Sequence, residues 1–470
     1  MNKPVLTIGG RAVSAPSTFE VRNPADESVI ALCPAGTIPL VDEAVAAARA
    51  ALPLWSGQTS AHRAGKLHEI AALIEAHQAE LAELITREQG KPVTGPGSHF
   101  EVGGAAAWTH ATADLNLDDE TIQDDASGSI VVRRKPVGVV GSITPWNWPL
   151  LIAAWHVMPA IRVGCTVVIK PSPFTPLVTL RLVELMNRVL PPGVINAVTG
   201  DAEIGVRMTN HPGIDKLVFT GSSATGRGVM SHAASTLKRL TLELGGNDAG
   251  IILPGTTIEP LLEKLFWGCF INAGQTCAAL KRLYVHESQY EEVVQKLAAY
   301  VSKIPVGDGA SAGVLIGPVS NAMQLSKVEK YVEDARARGA RIVTGGKRLE
   351  RKGYFFPLTV IADARDDMRV VSEEQFGPVI PVISYRTVDE AVQRANSLEV
   401  GLGGSVWGND TAEAARVAAR LECGTAWVNQ HGALHPLAPF GGVKQSGIGA
   451  QFNVDGLKEY TTIQVVNVAR

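Results

Sequence analysis

One cysteine stands where the surrounding residue types suit nucleophilic chemistry. From Phe266 the chain runs as an apolar helical stretch into a small polar turn that ends on Cys277. Such a turn can lift a thiol towards a cleft where backbone N–H groups also point, and a thiol is a good nucleophile when its thiolate is stabilised and reachable. Since most lone cysteines are buried structural residues, the interpretation of Cys277 depends on its partners.

Two polar residues are candidate partners of that thiol. Glu243 ends an apolar strand just ahead of two glycines. In an apolar cleft a carboxyl group has its pKa raised towards neutrality, as a general base requires. Asn147 lies between two tryptophans at a strand-to-helix turn, where its amide N–H can donate to a small oxyanion. Capping of the helix is an equally good explanation of Asn147.

Five further residues indicate a nucleotide site. Lys170 ends a buried strand ahead of prolines and suits hydrogen bonds to ribose hydroxyls or a phosphate. Gly221 and Ser222 place donors at a strand-to-helix junction, which favours a pyrophosphate, although the stretch lacks the usual G-x-G-x-x-G fingerprint. Glu374 and Phe376 set a carboxylate and a ring at a rigid turn, where they can meet a sugar diol and a planar ring.

The elements predicted around these residues form two α/β series. Apolar strands alternate with helices at Val137–Ile143, Cys165–Ile169, Val194–Val198 and Leu217–Thr220. Continuous apolar strands separated by helices indicate a parallel sheet covered on both faces, with ligands beyond the carboxyl ends of the strands. A second series begins at Asp248, with strands at Ile251–Leu253, Lys281–Val285, Ile342–Val343, Val379–Ile383, Gly403–Trp407 and Thr425–Asn429.

The flanking segments have simpler patterns. One helix is predicted from Val41 to Leu52, and a second helix places apolar residues from Leu67 to Ile85 on one face. The stretch Ser129–Pro136 reads as an exposed strand with a basic end. The tail from Tyr460 to Val468 has strand character and needs another sheet to pair with.

Composition excludes several classes of function. A chain of 470 residues predicts two or three domains. A net charge of -3 without a basic run gives no pull towards nucleic acid or anionic membranes. Five scattered cysteines, without zinc-like spacing, argue against disulfides and metal sites and favour a reducing compartment. Without a signal-like or 18-residue apolar run, we expect a cytoplasmic protein.

Taken together, seven ordered motifs resemble the NAD(P)-dependent aldehyde dehydrogenase superfamily over nearly the whole chain. They are Pro145-Trp146-Asn147-Trp148-Pro149, Lys170-Pro171-Ser172, Phe219-Thr220-Gly221-Ser222, Leu242-Glu243-Leu244-Gly245-Gly246, Gly274-Gln275-Thr276-Cys277, Glu374-Gln375-Phe376-Gly377-Pro378 and Pro439-Phe440-Gly441-Gly442-Val443-Lys444-Gln445-Ser446-Gly447. Chance agreement of seven motifs is negligible, so Cys277 is interpreted as a nucleophile.

The resemblance implies an α/β fold in three parts. A Rossmann-like cofactor domain takes residues 1–117 and 137–245, and an α/β catalytic domain takes residues 246–441. Residues 118–136 and 455–470 form a small oligomerisation β-sheet, and the protein is expected to be a homodimer or homotetramer.

The resemblance also implies roles for the residues singled out above. Cys277 attacks the aldehyde carbonyl, and the oxyanion is stabilised by the Asn147 amide and the Cys277 backbone N–H, typically worth about 3 kcal/mol per donor. Hydride passes to the nicotinamide and leaves a thioester on Cys277, from which Glu243 releases the acid by activating water. The residues implied to bind the cofactor are Trp146, Lys170, Ser172, Gly221, Ser222, Glu374 and Phe376.

Two positions depart from the family pattern. Pro173 stands where many NAD-preferring relatives carry a Glu that bonds the ribose 2′-OH and repels a 2′-phosphate. The cofactor is therefore left as NAD+ or NADP+. Gln451 stands where relatives often have Glu, and a neutral side chain there is expected to slow deacylation by weakening the hydrogen-bond relay near Glu243.

By the same alignment, the substrate funnel is lined by Trp148, Ile152, Trp155, Ile271, Leu434 and Phe440. These side chains are bulky and apolar, with no Arg to pair a substrate carboxylate, so an apolar aliphatic or aromatic aldehyde is expected rather than a charged semialdehyde. His431 and His435 are better explained as loop histidines than as contacts to a substrate hydroxyl.

Two alternatives to a hydrolytic aldehyde dehydrogenase stay open at this point. A semialdehyde dehydrogenase that passes its acyl group to coenzyme A commonly lacks a Glu at the place of Glu243. A non-catalytic cofactor-binding member of the family is expected to have lost Cys277, Glu243 or Asn147, and the chain keeps all three.

Overall fold

Two large, mostly parallel sheets organise the chain in the computed structural model, which describes residues 3–470. The first sheet has eight strands, in the order Arg11–Val13, Leu6–Ile8, Ile195–Ala197, Thr166–Lys170, Val139–Ile143, Lys216–Thr220, Arg239–Glu243 and Gly447–Ile448. Its five middle strands run parallel, and antiparallel strands close both edges. The register pairs Ile143 with Lys170 and Thr220 with Glu243. Lys170 and Glu243 therefore both lie at the carboxyl ends of the parallel strands, on the same side of the sheet.

The second sheet has seven strands, in the order Arg341–Thr344, Thr359–Ala362, Val379–Tyr385, Leu280–His286, Asp248–Ile252, Gly403–Trp407 and Thr425–Val428. All neighbouring strands are parallel except the first pair. Each strand predicted from the sequence overlaps an observed one. The strand Thr359–Ala362 was missed, because four apolar residues between Pro357 and Asp363 are too few to show a periodicity.

The central strands of both sheets are buried on both faces. Val167 and Ile169 belong to one apolar core and Val168 to another. In the second sheet Ile251 and Ile252 likewise face different cores. Helices cover each face, which explains the continuous apolar runs and confirms the predicted α/β class.

Fifteen α-helices are present among the described residues: Ile38–Ser56, Ser60–Ala76, Gln78–Gln89, Ser98–Asp114, Pro149–Val163, Leu177–Met186, Ala202–Asn210, Ser223–Ala233, Leu262–Phe270, Tyr290–Val301, Ala322–Ala337, Arg369–Ser372, Val388–Ala395, Thr411–Ala418 and Asn453–Lys458. The prediction of one helix from Leu67 to Ile85 is wrong, since that stretch forms two helices. The helix is interrupted at His77, whose backbone is not helical (φ -107°, ψ 19°). Nδ1 of His77 lies 2.8 Å from the carbonyl oxygen of Leu73. The apolar spacing hid the break because both helices pack on the same core.

A small antiparallel sheet joins Glu120–Asp125, Gly128–Pro136 and Thr461–Ala469. The tail therefore pairs with the exposed strand predicted before it, and Ile463 lies opposite Arg134. Two short pairs complete the strands: Ser17–Arg22 with Val29–Ala35, and Val400–Gly401 with Val443–Lys444. Within residues 3–470, no helix has the length and apolar character needed to cross a membrane.

Candidate active site

A cleft of about 720 Å³ opens at the carboxyl ends of the first sheet and extends to the loops that carry Cys277, Glu374 and Phe376. The predicted site residues that line it are Trp146, Asn147, Lys170, Ser172, Gly221, Ser222, Cys277, Glu374 and Phe376. The structure therefore brings every residue predicted to bind the cofactor to the same cleft as the candidate nucleophile. Pro173 lines it as well.

One end of the cleft offers hydrogen-bond donors. The Lys170 side chain is buried, which lowers the pKa of its amine to about 8 despite the opposing charge of Asp201. Ser222 caps the helix Ser223–Ala233, and its Oγ accepts from the Thr225 N–H at 3.2 Å. The positive end of that helix therefore faces the cleft, as a pyrophosphate requires.

The other end of the cleft offers a carboxylate and two rings. Oε1 of Glu374 accepts from the Gly246 N–H at 3.3 Å and lies 3.1 Å from the Lys281 ammonium nitrogen. The backbone of Phe376 is left-handed (φ 51°), and its ring meets the Trp146 ring edge-on at 5.4 Å between centroids. Donors at one end, and a carboxylate with flat apolar surfaces at the other, fit a nicotinamide dinucleotide.

A strained turn presents the Cys277 thiol to this cleft. After the helix Leu262–Phe270 the chain passes through three left-handed residues, Asn272 (φ 53°), Ala273 (φ 56°) and Gly274 (φ 70°). A Cβ at position 274 would lie 2.2 Å from the Gly377 carbonyl oxygen, so only glycine fits there. Strain of this kind persists only where surrounding contacts hold it.

Those contacts come from the turn that carries Asn147. Nδ2 of Asn147 donates to the Gln275 carbonyl at 3.0 Å, and Nδ2 of Asn272 donates to the Asn147 carbonyl at 2.8 Å. The indole N–H of Trp148 donates to Oγ1 of Thr276 at 3.1 Å. Three hydrogen bonds thus fix the candidate oxyanion donor against the loop of the candidate nucleophile.

Cys277 is half-buried and surrounded by more negative than positive groups. Burial raises the pKa of its thiol to about 12, and the carboxylates of Glu243, Asp248 and Glu374 add to the rise. Lys281 acts in the opposite direction. Sequence reasoning missed both Asp248 and Lys281, because a charged residue at or near the start of a strand gives no sign of what it faces.

Glu243 ends its strand inside the protein, as predicted. Burial raises the pKa of the Glu243 carboxyl well above its usual value, and the charge of Glu459 adds to the effect. Neither oxygen of the carboxyl has a hydrogen-bond partner among the residues that the structure describes. A buried, unpartnered carboxyl near a thiol is free to exchange protons with a water molecule or substrate.

The predicted funnel residues fall into two groups. Leu434 and Phe440 pack in a small apolar cluster with Cys277 and Phe452. The others, Trp148, Ile152, Trp155 and Ile271, belong to the main core of the first sheet or pack against it. The ring of Phe452 joins the groups, 4.8 Å from Trp155 and 6.0 Å from Phe440 between centroids.

Two aromatic residues of this region, Trp108 and Phe452, were not predicted from the sequence. Trp108 lies on the helix Ser98–Asp114, with its ring centroid 5.9 Å from Trp155 and 5.6 Å from Phe452. Both were missed because they lie outside the motifs, and only the fold brings them beside the residues predicted to line the funnel.

The two candidate histidines have internal partners. Nδ1 of His431 lies 2.9 Å from Ser405 Oγ, and Nδ1 of His435 accepts from the Leu437 N–H at 3.1 Å. These bonds fit the loop role favoured for both residues.

The chain matches known proteins over nearly its whole length. The family model of the aldehyde dehydrogenase family matches residues 12–466, and the chain therefore belongs to that family. It is 38% identical to phenylacetaldehyde dehydrogenase of Pseudomonas fluorescens over 483 residues, covering 99% of this chain and 95% of the relative.

Solved structures agree over nearly the whole length. Betaine aldehyde dehydrogenase of Staphylococcus aureus in complex with NAD+ matches with a TM-score of 0.96 and 36% identity, covering 99% of this chain and 94% of that one. An NADP-dependent enzyme of Escherichia coli matches with a TM-score of 0.97 and 35% identity, covering 100% and 98%. The predicted family, fold and enzyme class, an NAD(P)-dependent aldehyde dehydrogenase, are confirmed.

Proposed function

We propose that the protein oxidises an apolar aldehyde, aliphatic or aromatic, to its carboxylic acid through a thioester on Cys277. The observation that carries the substrate class is the cluster beside the thiol, formed by Ala278, Leu402, Trp427 and Phe440 with Leu434 and Phe452. None of these side chains carries a charge, so the cluster itself offers no partner to a charged aldehyde, whereas the carboxylates and the lysine that face the thiol lie outside it.

The first step forms the bond between sulfur and carbon. The Cys277 thiolate adds to the carbonyl carbon, and the electron pair of the C=O bond moves to oxygen. Asn147 and the Cys277 backbone N–H donate to that oxygen, each typically worth about 3 kcal/mol. When bound, NAD(P)+ would supply the hydride acceptor, and loss of hydride from the same carbon would leave a thioester on Cys277.

The second step returns the free enzyme. Glu243 takes a proton from water, the resulting hydroxide attacks the thioester, and the C–S bond breaks to release the acid and the Cys277 thiolate. Glu243 then passes its proton to solvent. The raised pKa of the buried Glu243 carboxyl supports this role, because a base must accept a proton near neutral pH.

The same carboxyl favours hydrolysis over transfer to coenzyme A. In the alternative, an acyl-CoA-forming enzyme, the acyl group would leave Cys277 only by transfer to the thiol of coenzyme A, and the product would be acyl-CoA. Adding coenzyme A to a turnover mixture and finding no acyl-CoA and no acceleration supports hydrolysis. A non-catalytic member of the family would bind nucleotide without reducing it.

The cofactor roles follow the cleft. Lys170 and Ser172 are proposed to meet the adenosine ribose, Gly221 and Ser222 the pyrophosphate, Glu374 the nicotinamide ribose, and Phe376 with Trp146 the nicotinamide ring. Because Pro173 supplies no carboxylate against a 2′-phosphate, both NAD+ and NADP+ are admitted by this end of the cleft.

We also propose that the chain is divided into three parts. Residues 1–117 and 137–245 form the cofactor domain, 246–441 the catalytic domain, and 118–136 with 455–470 an oligomerisation sheet. Ile122, Ile463 and Val465 of that sheet are each more than half exposed, which supports a second copy as partner in a homodimer or homotetramer. Light scattering on wild type and Ile463→Asp tests this assignment, and a monomeric wild type would refute it.

The central experiment compares an apolar with a cationic aldehyde. Purified protein is mixed with phenylacetaldehyde or betaine aldehyde and either NAD+ or NADP+, and the absorbance of the reduced nicotinamide is followed. We expect kcat/KM to favour phenylacetaldehyde by at least about tenfold, since the apolar cluster has no counter-charge of its own, and desolvating a cation there costs more than about 1.4 kcal/mol.

The Cys277→Ala variant serves as control and is expected to bind nucleotide without turnover. Equal rates with both aldehydes would refute the apolar substrate class. Nucleotide binding by wild type without any turnover would favour the non-catalytic alternative.

A further inference from the structure

A buried lysine links the nucleophile to the far carboxylate of the cleft. Lys281 follows Cys277 by four residues, on the strand Leu280–His286, and is 2% exposed. Its ammonium group donates to the Cys277 carbonyl and lies 3.1 Å from Oε1 of Glu374. The same group is 5.8 Å from the centroid of the Phe376 ring.

The charges that face the Cys277 thiol come from four elements. Glu243 ends a strand of the first sheet, Asp248 begins a strand of the second, and Glu374 lies in the turn after Arg369–Ser372. Each of these carboxylates opposes a thiolate, whereas Lys281 is the cation that favours one.

A second lysine faces the carboxylate but not the thiol. Lys327, on the helix Ala322–Ala337, lies near Glu374, Glu373, Arg369 and Lys281. It is therefore a cation of the same cleft without a contact to the nucleophile, and it offers a matched control.

Resting on the proposed role of Cys277 as nucleophile, we propose that Lys281 is the positioning residue that fixes the Cys277 backbone and supplies the positive charge for its thiolate. Glu374 holds Lys281 in place and partly cancels its charge. The two residues therefore act on the thiolate with opposite sign, although they form one ion pair.

The opposite signs separate this role from a structural one. Replacing Lys281 by Met leaves three carboxylates around the thiol and makes the thiolate harder to form. Replacing Glu374 by Gln removes a negative charge and leaves the lysine charge uncompensated, so the thiolate becomes easier to form. Loss of a merely structural ion pair gives both variants the same kind of damage.

The test measures alkylation of Cys277 by iodoacetamide as a function of pH, quantified on the Cys277 peptide by mass spectrometry so that Cys423 does not interfere. Wild type, Lys281→Met, Lys281→Arg, Glu374→Gln and the control Lys327→Met are compared. Thermal unfolding of each variant reports whether it is folded.

We expect Lys281→Met to move the midpoint of the alkylation profile upward by about one pH unit, which slows alkylation about tenfold below both midpoints. Lys281→Arg retains the wild-type midpoint because it keeps the charge. Glu374→Gln moves the midpoint downward, and Lys327→Met leaves it within a few tenths of a unit.

An unchanged midpoint in folded Lys281→Met overturns the proposal. If that variant fails to fold, Glu374→Gln decides, and a midpoint that is unchanged or raised overturns the proposal. Aldehyde turnover by wild type in the same preparation separates failure of this inference from failure of the proposed function. With turnover intact, the alkylation profiles concern Lys281 alone.

Discussion

Two glutamates, each buried beside the active site, stand in opposite surroundings. Glu101 forms an ion pair with the buried Lys91, and its Oε1 accepts from the N–H groups of Leu150 at 2.8 Å and Leu151 at 3.2 Å. Glu243 has no hydrogen-bond partner among the described residues, and its pKa is raised by burial. The same residue type is thus an anchor in one region and a candidate base in the other.

The pair of Lys91 and Glu101 contacts the turn that carries Asn147, the candidate oxyanion donor. Nζ of Lys91 donates to the Asn147 carbonyl at 2.9 Å and lies 3.5 Å from the centroid of the Trp148 ring. Glu101 holds the first turn of the helix that follows. A fully satisfied buried pair makes a region rigid, whereas an unsatisfied carboxyl keeps its proton exchangeable. Both are needed if a rigid oxyanion donor is to work beside a reactive base.

The largest expected effect concerns Glu243. In Glu243→Gln the amide cannot accept a proton from water, so we expect steady-state turnover to fall about 10²–10⁴-fold. Thioester formation does not need this base, so stopped-flow absorbance should still show a burst of reduced nicotinamide equal to the active sites. Loss of the burst, or normal turnover, would contradict the assignment of Glu243 to deacylation.

Breaking the anchor is expected to cost stability instead. Lys91→Met leaves the Glu101 charge buried and unpaired, which should lower the free energy of unfolding by about 3–5 kcal/mol. Chemical denaturation measures this loss. The double variant Lys91→Met with Glu101→Gln removes the orphaned charge and should recover part of it. A single variant as stable as wild type would show that the pair is not an anchor.

A third buried glutamate lies between these extremes. Glu88 accepts from the Leu177 N–H at 2.7 Å and the Val178 N–H at 2.9 Å, and burial raises its pKa to about 8. Between the unfolded value near 4.5 and about 8, the folded chain keeps a proton that the unfolded chain has lost. Stability therefore falls as pH rises through this window, by up to about 1.4 kcal/mol per pH unit. Glu88→Gln should flatten this slope in denaturation curves at pH 5, 6, 7 and 8, and an unchanged slope would contradict the shift.

The sequence predicted the cleft better than the surroundings of the nucleophile. Lys170, Ser222 and Glu243 sit at or just beyond the ends of apolar strands, and parallel packing places such ends together. The ion pair of Lys91 and Glu101 connects a turn to the helix Ser98–Asp114, ten residues later in the chain. Neither residue belongs to a motif, and only tertiary packing shows that they meet below Asn147.

The residues predicted to line the substrate funnel give a second example of what the sequence does not show. Phe440 was found because it belongs to a motif, whereas Phe452 and Trp108 come from separate elements and reach the funnel only in the folded chain. The break at His77 was missed for the converse reason, since a regular apolar spacing continues across it. A pattern of side chains indicates which face is buried, but not where the backbone turns.

The smallest expected effect tests the hypothesis on Gln451. This residue is 3% exposed, exchanges two backbone hydrogen bonds with Phe440, and its Nε2 has no partner among the described residues. A Cβ on Gly441 would lie 3.5 Å from both Oε1 of Glu243 and Cα of Ala450. Gly441 thus lies close to Glu243 and to the residue that precedes Gln451. In Gln451→Glu we expect thioester hydrolysis to accelerate about fivefold, the worth of one added hydrogen bond of about 1 kcal/mol. Single-turnover release of acid measures this rate, and Gln451→Met controls for the loss of the amide. An unchanged rate in Gln451→Glu would show that Glu243 works without a relay, and the contrast between an isolated base and a satisfied anchor would then be complete.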